Sequence, residues 1–279
     1  MSRGAGGPRS GRLVVCATPI GNLDDVTLRL LETLRTADVV ACEDTRHTVG
    51  LLKRHGITAT QLVSCHEHNE AHRAPELVAR ITAGEVVALV TDAGMPLVSD
   101  PGHVLLREVL AAGQRVEVLP GPSAALTALV ASGLPADTWR FVGFLPRKAG
   151  ELQAVLAGAR ETLVAFESPH RTAASLAALA ALDPERPVAV CRELTKLHEE
   201  VARGSAGELA ARYARAEPRG EVVLVIGAPP PADADLGAAL DALERLVAAG
   251  AKARPAAVVV AELTGAHANA LYQGLLERK

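Results

Sequence analysis

The sequence predicts a two-domain α/β protein followed by a small helical C-terminal domain. Three observations predict it. From Leu13 onward, short β-branched runs alternate with apolar residues at helical spacing, the pattern of a mostly parallel, doubly wound sheet. A second set of the same pattern follows Pro135. Past the Pro-rich stretch "GAPPPADAD" (Gly227–Asp235), a stiff linker, strand-like runs stop and helical periodicity alone remains. The 279 residues are enough for this arrangement, and 49% hydrophobic with 22% charged is the balance of a soluble globular chain.

Taken in order, the chain opens with "MSRGAGGPRSGR" (1–12), which lacks an apolar core segment and reads as a disordered tail, not a signal peptide. In the first domain (13–121), Leu13–Ala17, Val39–Cys42, Gln61–Ser64, Val86–Thr91 and Val116–Leu119 are β-rich runs bounded by turn residues, hence strands. Val26–Leu34, Leu77–Ile81 and Val104–Leu110 carry apolar residues at helical spacing between them. The boundary falls near Gly121–Leu134. In the second domain (122–228), Phe141–Phe144, Thr162–Phe166, Val188–Cys191 and Val222–Ile226 are strand-like, and Gln153–Ala159, Ala173–Leu182 and Glu208–Ala216 helical. The last segment (229–279) holds three helical patterns, Leu236–Ala248, Ala256–Leu263 and Ala268–Leu276, the latter two hinged at Gly265. That spacing suits a helix–turn–helix or a plain αα cap.

Composition excludes several classes. Aromatic residues are 2% of the chain, so the core is built from Ala, Val and Leu. A net charge of -3, with acids and bases spread evenly on either side of Gly121, gives no global basic field; a polyanion needs a local patch. The four cysteines (Cys16, Cys42, Cys65, Cys191) form no C-x-x-C pair, which points to buried thiols in a reducing cytoplasm and not to disulfides or zinc. The longest uncharged stretch, Val118–Ala136, contains three prolines and two glycines and is no membrane helix.

Three strands of the first domain run into loops of one type: "TPIGN", "DAGMP" and "PGPSA". In parallel sheets, ligands bind beyond the carboxyl ends of the strands. Glycines admit close backbone approach, and prolines fix the loop beforehand. One such loop is usually an ordinary tight turn; three at one end of one sheet form a site. No G-x-x-x-x-G-K-[ST] and no strand-borne G-x-G-x-x-G occurs, so the ligand carries few phosphates and is read by backbone groups and one or two carboxylates, Asp92 among them.

These loops, with "EDTR", "HEHNE", "GFLPRK", "FESPHR" and "RELTKLHEE", resemble the tetrapyrrole methylase superfamily, and within it the branch that methylates small-subunit ribosomal RNA, from Leu13 to about Gly227. The resemblance implies the two-domain tetrapyrrole methylase-like fold (a class III methyltransferase) and S-adenosyl-L-methionine bound between two α/β domains. It also implies a homodimer, and 2′-O-methylation of a decoding-centre cytidine ribose of 16S rRNA in the small ribosomal subunit. Asp92, Ala93, Gly94, Leu97, Ser123 and Ala124 match the superfamily's cofactor-lining positions; Pro19 and Gly21 close the first loop, and Phe166 and Leu194 complete the candidate cofactor set. Met95 departs from the small polar residue often found there.

Methyl transfer from a sulfonium needs alignment and exclusion of water, with no metal and no covalent intermediate. Glu43, Arg46, His170 and Arg171, each just past a strand, are the candidate catalytic residues, although "EDTR" also suits a helix cap and His170 also suits capping the following helix. The His-Glu-His run at His66–His68 looks like a metal pair, but adjacent strand residues alternate faces and no third ligand is placed by spacing, so no metal is expected. Arg46, Arg147, Lys148, Arg171, Arg192 and Lys196 are candidate phosphate contacts. With few aromatics to stack on bases, recognition falls to the shape of the folded subunit. The alternatives are a precorrin (tetrapyrrole) methylase of the same superfamily, or a non-catalytic module binding RNA or cofactor; neither they nor the leading reading calls for a membrane.

Overall fold

The computed structural model describes residues 10–229 and 236–278. The expectations of a disordered tail and a stiff linker therefore lie mostly outside the described residues. The tail expectation also runs one or two residues too far: Gly11 is buried, and Arg12 already pairs with Val86 and Arg115 as the start of β1 (Arg12–Cys16).

After β1 come α1 (Leu28–Thr36), β2 (Val39–Cys42), α2 (Thr45–Arg54), β3 (Leu62–Ser64), α3 (Glu70–Thr82), β4 (Val86–Val90), α4 (His103–Ala111) and β5 (Arg115–Leu119). The five strands form one sheet in the order β3-β2-β4-β1-β5, every pair parallel. Strand side chains alternate between faces, and the core divides accordingly. Val14, Cys16, Val40, Cys42, Ala88 and Val90 pack with Leu30 and Leu34 of α1 and Leu51 and Leu52 of α2. Leu13, Val15, Val39, Ala41, Val87 and Leu89 pack with Leu77 and Ile81 of α3 and Leu105 and Val109 of α4. Burial on both faces explains why β4 reads as an unbroken apolar run. Helix α2, absent from the sequence-based reading, is capped by Asp44, whose side chain accepts from the Arg46 amide at 2.8 Å.

The second half holds α5 (Ala124–Ser132), β6 (Trp139–Phe144), α6 (Ala149–Gly158), β7 (Thr162–Glu167), α7 (Pro169–Leu182), β8 (Pro187–Arg192), β9 (Glu200–Ser205), α8 (Ala206–Arg215) and β10 (Val222–Ile226). Its sheet runs β6-β7-β10-β8-β9, and here the expectation of a mostly parallel sheet fails. Only β6 and β7 are parallel; the other three pairings are antiparallel. The cause is connection length. The turn Glu193–Glu199 joins β8 to β9 and is too short to cross a sheet face, and β10 enters between β7 and β8. Glu193 and Thr195 take positive φ (50° and 67°) to make that reversal. Helix α5, inside the stretch read as a boundary, packs its Ala125, Ala128 and Leu129 on Val164, Ala189, Cys191, Val223 and Val225 of this sheet.

A second compact unit comprises Ala228 onward with Ala159–Glu161; the rest of the chain to Gly227 is the first. Its helices α9 (Leu236–Ala248), α10 (Ala253–Thr264) and α11 (Ala268–Glu277) enclose their own core of Leu240, Leu243, Ala257, Val260, Leu271 and Leu275. Gly265, at φ 75°, closes α10. All four cysteines are buried free thiols; burial pushes Cys16 up to about 12 and Cys65 and Cys191 up to about 11. Among the described residues no helix is long and apolar enough to cross a membrane.

Candidate functional site

In the order β4-β1-β5 the three Gly/Pro loops leave neighbouring strands at the same sheet end. They are stitched together by backbone. The Thr18 amide donates to the Gly94 carbonyl at 2.9 Å and the Gly94 amide donates back to Thr18 at 3.1 Å, while the Thr18 hydroxyl donates to the Thr91 carbonyl at 3.0 Å. Gly94 sits at φ 82°, which a side chain would resist. Gly121 lies so close to the first loop that a Cβ there would stand 2.8 Å from the Ala17 Cβ.

Two adjoining cavities open on these loops, sharing Ile20, Ala93 and Glu221. The first, about 410 Å³, is lined by Thr18, Pro19, Gly21, Arg46, His47, Thr91, Asp92 and Lys196 among others. The second, about 300 Å³, has a largely apolar wall of Met95, Val98, Ala124, Phe144, Phe166 and Val223, with Gly94, Ser99, Ser123 and Ser168 at its edges. The Phe141 and Phe144 rings both meet Phe166 edge-on, at 4.9 and 5.6 Å between centroids, which fixes that wall.

Carboxylates dominate the electrostatics. Asp92 accepts the Asp44 amide at 3.1 Å and faces His47 Nδ1 at 2.8 Å. Glu43 lies behind it, 3.5 Å from the Asp92 amide, and burial together with the Asp92 charge raises its carboxyl above the ordinary range. Asp100 is pushed up to about 7, first by burial and then by Glu43, Asp92 and Glu221, against a smaller opposing effect of the Thr91 hydroxyl. Asp44, half-buried at the start of α2, is instead held down at about 2 by hydrogen bonds from Arg46. Asp44, His47 and Asp92 bring ligand atoms within 4.8 Å of one another, but Arg46 already pairs with Asp44, and Asp92 already holds the His47 ring and the Asp44 amide.

Of the residues singled out from sequence, Pro19, Gly21, Asp92 and Ala93 line the first cavity, and Ala93, Gly94, Ser123, Ala124 and Phe166 the second. Leu97 and Leu194 line neither. Leu97 packs against the α3/α4 core, and Leu194 is buried in the second lobe with its carbonyl 3.0 Å from where a Gly21 Cβ would sit. Arg46 lines the first cavity, with its side chain 88% exposed and forked onto Asp44. His170 and Arg171 line neither cavity: the His170 ring pairs with Glu217, and the Arg171 guanidinium donates to the Leu145 and Pro146 carbonyls, bracing the "FLPRK" turn. Among the proposed phosphate contacts, Lys196 lines the first cavity while paired with Glu193 and Glu221 at 2.9 Å each, Arg192 pairs with Glu200, Lys148 pairs with Glu151, and Arg147 is exposed.

Sequence reasoning missed His47, Ser99, Asp100, Phe144, Ser168 and the Gly220–Val223 segment as cavity-lining, whereas Glu167, which follows the strand-like run Thr162–Phe166 as a cleft residue should, lines the second cavity. Asp100 lies four residues beyond the "DAGMP" loop. Ser168 lies in the "FESPHR" block, whose charged residues drew the reading. Glu221 lies in no recognised pattern and reaches the site only because β10 enters the middle of its sheet.

The family model of Tetrapyrrole (Corrin/Porphyrin) Methylases matches residues 12–210. A Mesorhizobium japonicum protein named ribosomal RNA small subunit methyltransferase I is 49% identical, over 98% of this chain and 94% of its own length. The protein of the same name from Escherichia coli O157:H7 is 44% identical, over 96% of each. Among solved structures, uroporphyrin-III-C-methyltransferase from Thermus thermophilus is similar with TM-score 0.55 and 26% identity, covering 78% of this chain and 94% of that one. That enzyme has also been solved complexed with S-adenyl homocysteine, a structure 20% identical to this chain with the same TM-score. With a family match over most of its length and near-half identity to full-length relatives, this chain belongs to the tetrapyrrole methylases, in the ribosomal RNA small subunit methyltransferase I group.

Proposed function

We propose that the protein is an S-adenosylmethionine-dependent methyltransferase that methylates the ribose 2′-oxygen of a decoding-centre cytidine in 16S rRNA, acting in the cytoplasm as a homodimer. The observation that carries the methyl-donor reading is the junction of three Gly/Pro strand-end loops on two adjoining cavities, one of them walled by apolar side chains. The residues present fit such a donor. Met95, Phe144, Phe166 and Val223 give flat and flexible apolar surface for a nucleoside and a thioether chain, the loops present main-chain groups without intervening side chains, and the charges are carboxylates, suited to hydroxyl, ammonium and sulfonium groups. The ribosomal reading is supported by the names of the full-length relatives.

When bound, the donor supplies a methyl group activated by positive sulfur. The chain does the rest. The Thr18–Gly94 bridge and the Gly121–Ala17 contact fix the floor on which the nucleophile and the donor are aligned. The apolar wall excludes water. Glu43 lines neither cavity and stands behind Asp92, its carboxyl raised by burial and by the Asp92 charge, so it acts on the site through Asp92, while Arg46 and Lys196 offer cations to an approaching phosphate at the first cavity. Exposed Leu126 and Val130 lie one turn apart on α5, a face suited to a second copy.

The test is incubation of the purified chain with tritiated donor and either undermethylated small ribosomal subunits or a precorrin. Label on the ribose of one cytidine in the subunit is the expected result. Label in the macrocycle establishes the corrin-methylase alternative, and label in neither leaves a binding module.

A further inference from the structure

Five charged or titratable residues line the first cavity: Arg46, His47, Asp92, Lys196 and Glu221. Four of them are engaged. Arg46 forks onto Asp44, and Lys196 bonds Glu193 and Glu221. Asp92 accepts the Asp44 amide on Oδ1 at 3.1 Å and meets His47 Nδ1 with Oδ2 at 2.8 Å. His47 is the exception. Two lone pairs facing each other across 2.8 Å would repel, so the hydrogen of the neutral ring sits on Nδ1 and Nε2 is a bare acceptor. Among the described residues nothing bonds Nε2. The ring is also well fixed. The Asp44 amide and the His47 side chain, three residues apart, both end on the Asp92 carboxylate, which pins the first turn of α2 to the loop after β4. Asp92 in turn precedes Ala93, which lines both cavities. A free basic nitrogen is thus held in the cavity that offers cations to a phosphate, one residue along the chain from the wall shared with the apolar cavity.

We propose that His47 is the catalytic base: its Nε2 takes the proton of the ribose hydroxyl as the oxygen accepts the methyl group, and Asp92 is the positioning residue that holds the ring. The inference rests on the methyltransferase reading above. A ribose hydroxyl is scarcely ionised near neutral pH, so its oxygen becomes a good nucleophile only as its proton is drawn off. The step balances. A lone pair of the oxygen forms the bond to the methyl carbon, the carbon–sulfur bond breaks with its electron pair left on sulfur, and the O–H proton moves to Nε2. Sulfur loses one positive charge and the imidazole gains one. That new charge arises among carboxylates: Asp92 in contact, Asp44 at the start of the same helix, and Glu43 behind Asp92. The cations on the cavity wall, Arg46 and Lys196, are each matched by acids already. The His47 side chain is 67% exposed, so the ring returns its proton to solvent before the next turnover.

The test has three readouts on the full chain. The first is the tautomer of the His47 ring, read from imidazole nitrogen shifts of the labelled protein at about pH 8, above the ordinary range of an imidazole, with the signal assigned by its loss in His47→Gln. The proton is expected on Nδ1, and Asp92→Asn should move it toward Nε2. The second is the single-turnover rate of methyl transfer to undermethylated small subunits, which His47→Gln and His47→Ala should each lower at least about a hundredfold. Affinity for S-adenosylmethionine, measured by calorimetry, should stay unchanged in both variants. The third is rescue. Added imidazoles should restore His47→Ala, the more basic ones more strongly, and should not restore His47→Gln, whose side chain fills the space. A proton on Nε2 in the unaltered chain, or rates in both variants within about threefold of it, overturn the assignment. So does a loss that no imidazole repairs, which makes His47 a structural neighbour of Asp92. If His47→Gln labels the ribose at full rate, the base assignment alone falls; if the unaltered chain labels no ribose, the methyltransferase reading falls and takes the base with it.

Discussion

At the scale of single residues, the site depends on where charges are placed relative to water. Asp92 is held by the Asp44 amide and His47, so its carboxylate is aimed before any ligand arrives. Asp92→Ala is expected to lower donor affinity about tenfold, the loss of one charge-assisted hydrogen bond, with an unchanged circular dichroism spectrum; unchanged calorimetric binding would remove Asp92 from the site. Asp100 gives a stability prediction of the opposite sign to most acids. Its folded-state pKa is raised to about 7, so between the ordinary aspartate range and pH 7 the folded state binds more protons than the unfolded one, and stability falls as pH rises, levelling off above 7. Asp100→Asn should therefore raise the ligand-free melting temperature by roughly a few degrees at pH 8 and hardly at all at pH 4, as read by differential scanning calorimetry. Glu167 behaves differently because it is buried and fully partnered. Its replacement by Ala strands Ser175, the Ser168 amide and Arg171, a loss of about 3 kcal/mol measurable by urea denaturation.

At the scale of elements, local chemistry decides which segments announce themselves. The Ser205 side chain and Glu208 form a reciprocal cap at the start of α8, and Ser205→Ala should cost about 1 kcal/mol in the same urea experiment. Strands β1, β2 and β4 were legible because burial on both faces demands continuous Val, Leu and Ala. Helix α2 was not: it begins Thr-Arg-His-Thr, and its deeply buried leucines, Leu51 and Leu52, stand together near its end. Helix α5 hid in a stretch whose flanking prolines and glycines read as a hinge. Strand β9 buries only Ala202, so no alternation marks it, as suits an edge strand. The antiparallel order of the second sheet is a matter of which strands meet, and periodicity along one chain carries nothing about partners. The same division holds for the site. Gly/Pro loops at strand ends pointed to Asp92, Gly94 and Ser123, whereas the positive φ of Leu97 and Ser99, which sets the Asp100 loop, has no sequence signal.

At the scale of the whole molecule, a net charge of -3 and six aromatic residues leave little with which to grip a naked strand. Arg46 and Lys196 lie at the first cavity, each with an acid already beside it. Methylation of an isolated oligonucleotide carrying the target is expected to be at least about a hundredfold slower than that of the assembled small subunit, measured as kcat/KM; equal rates would refute recognition of the folded particle. The C-terminal helices have a core of their own, so removing residues 229–279 should leave the first unit folded. That deletion should weaken subunit binding more than donor binding, while equal losses would make the helices a structural support. The reciprocal bridge between Thr18 and Gly94 bears on how quickly the protein engages its small ligand. Because each loop holds the other by main-chain atoms, the pair behaves as a rigid plate, and neither can swing aside as a flap. Stopped-flow mixing with donor should accordingly give a single exponential whose rate climbs linearly with concentration, with no plateau from a preceding rearrangement.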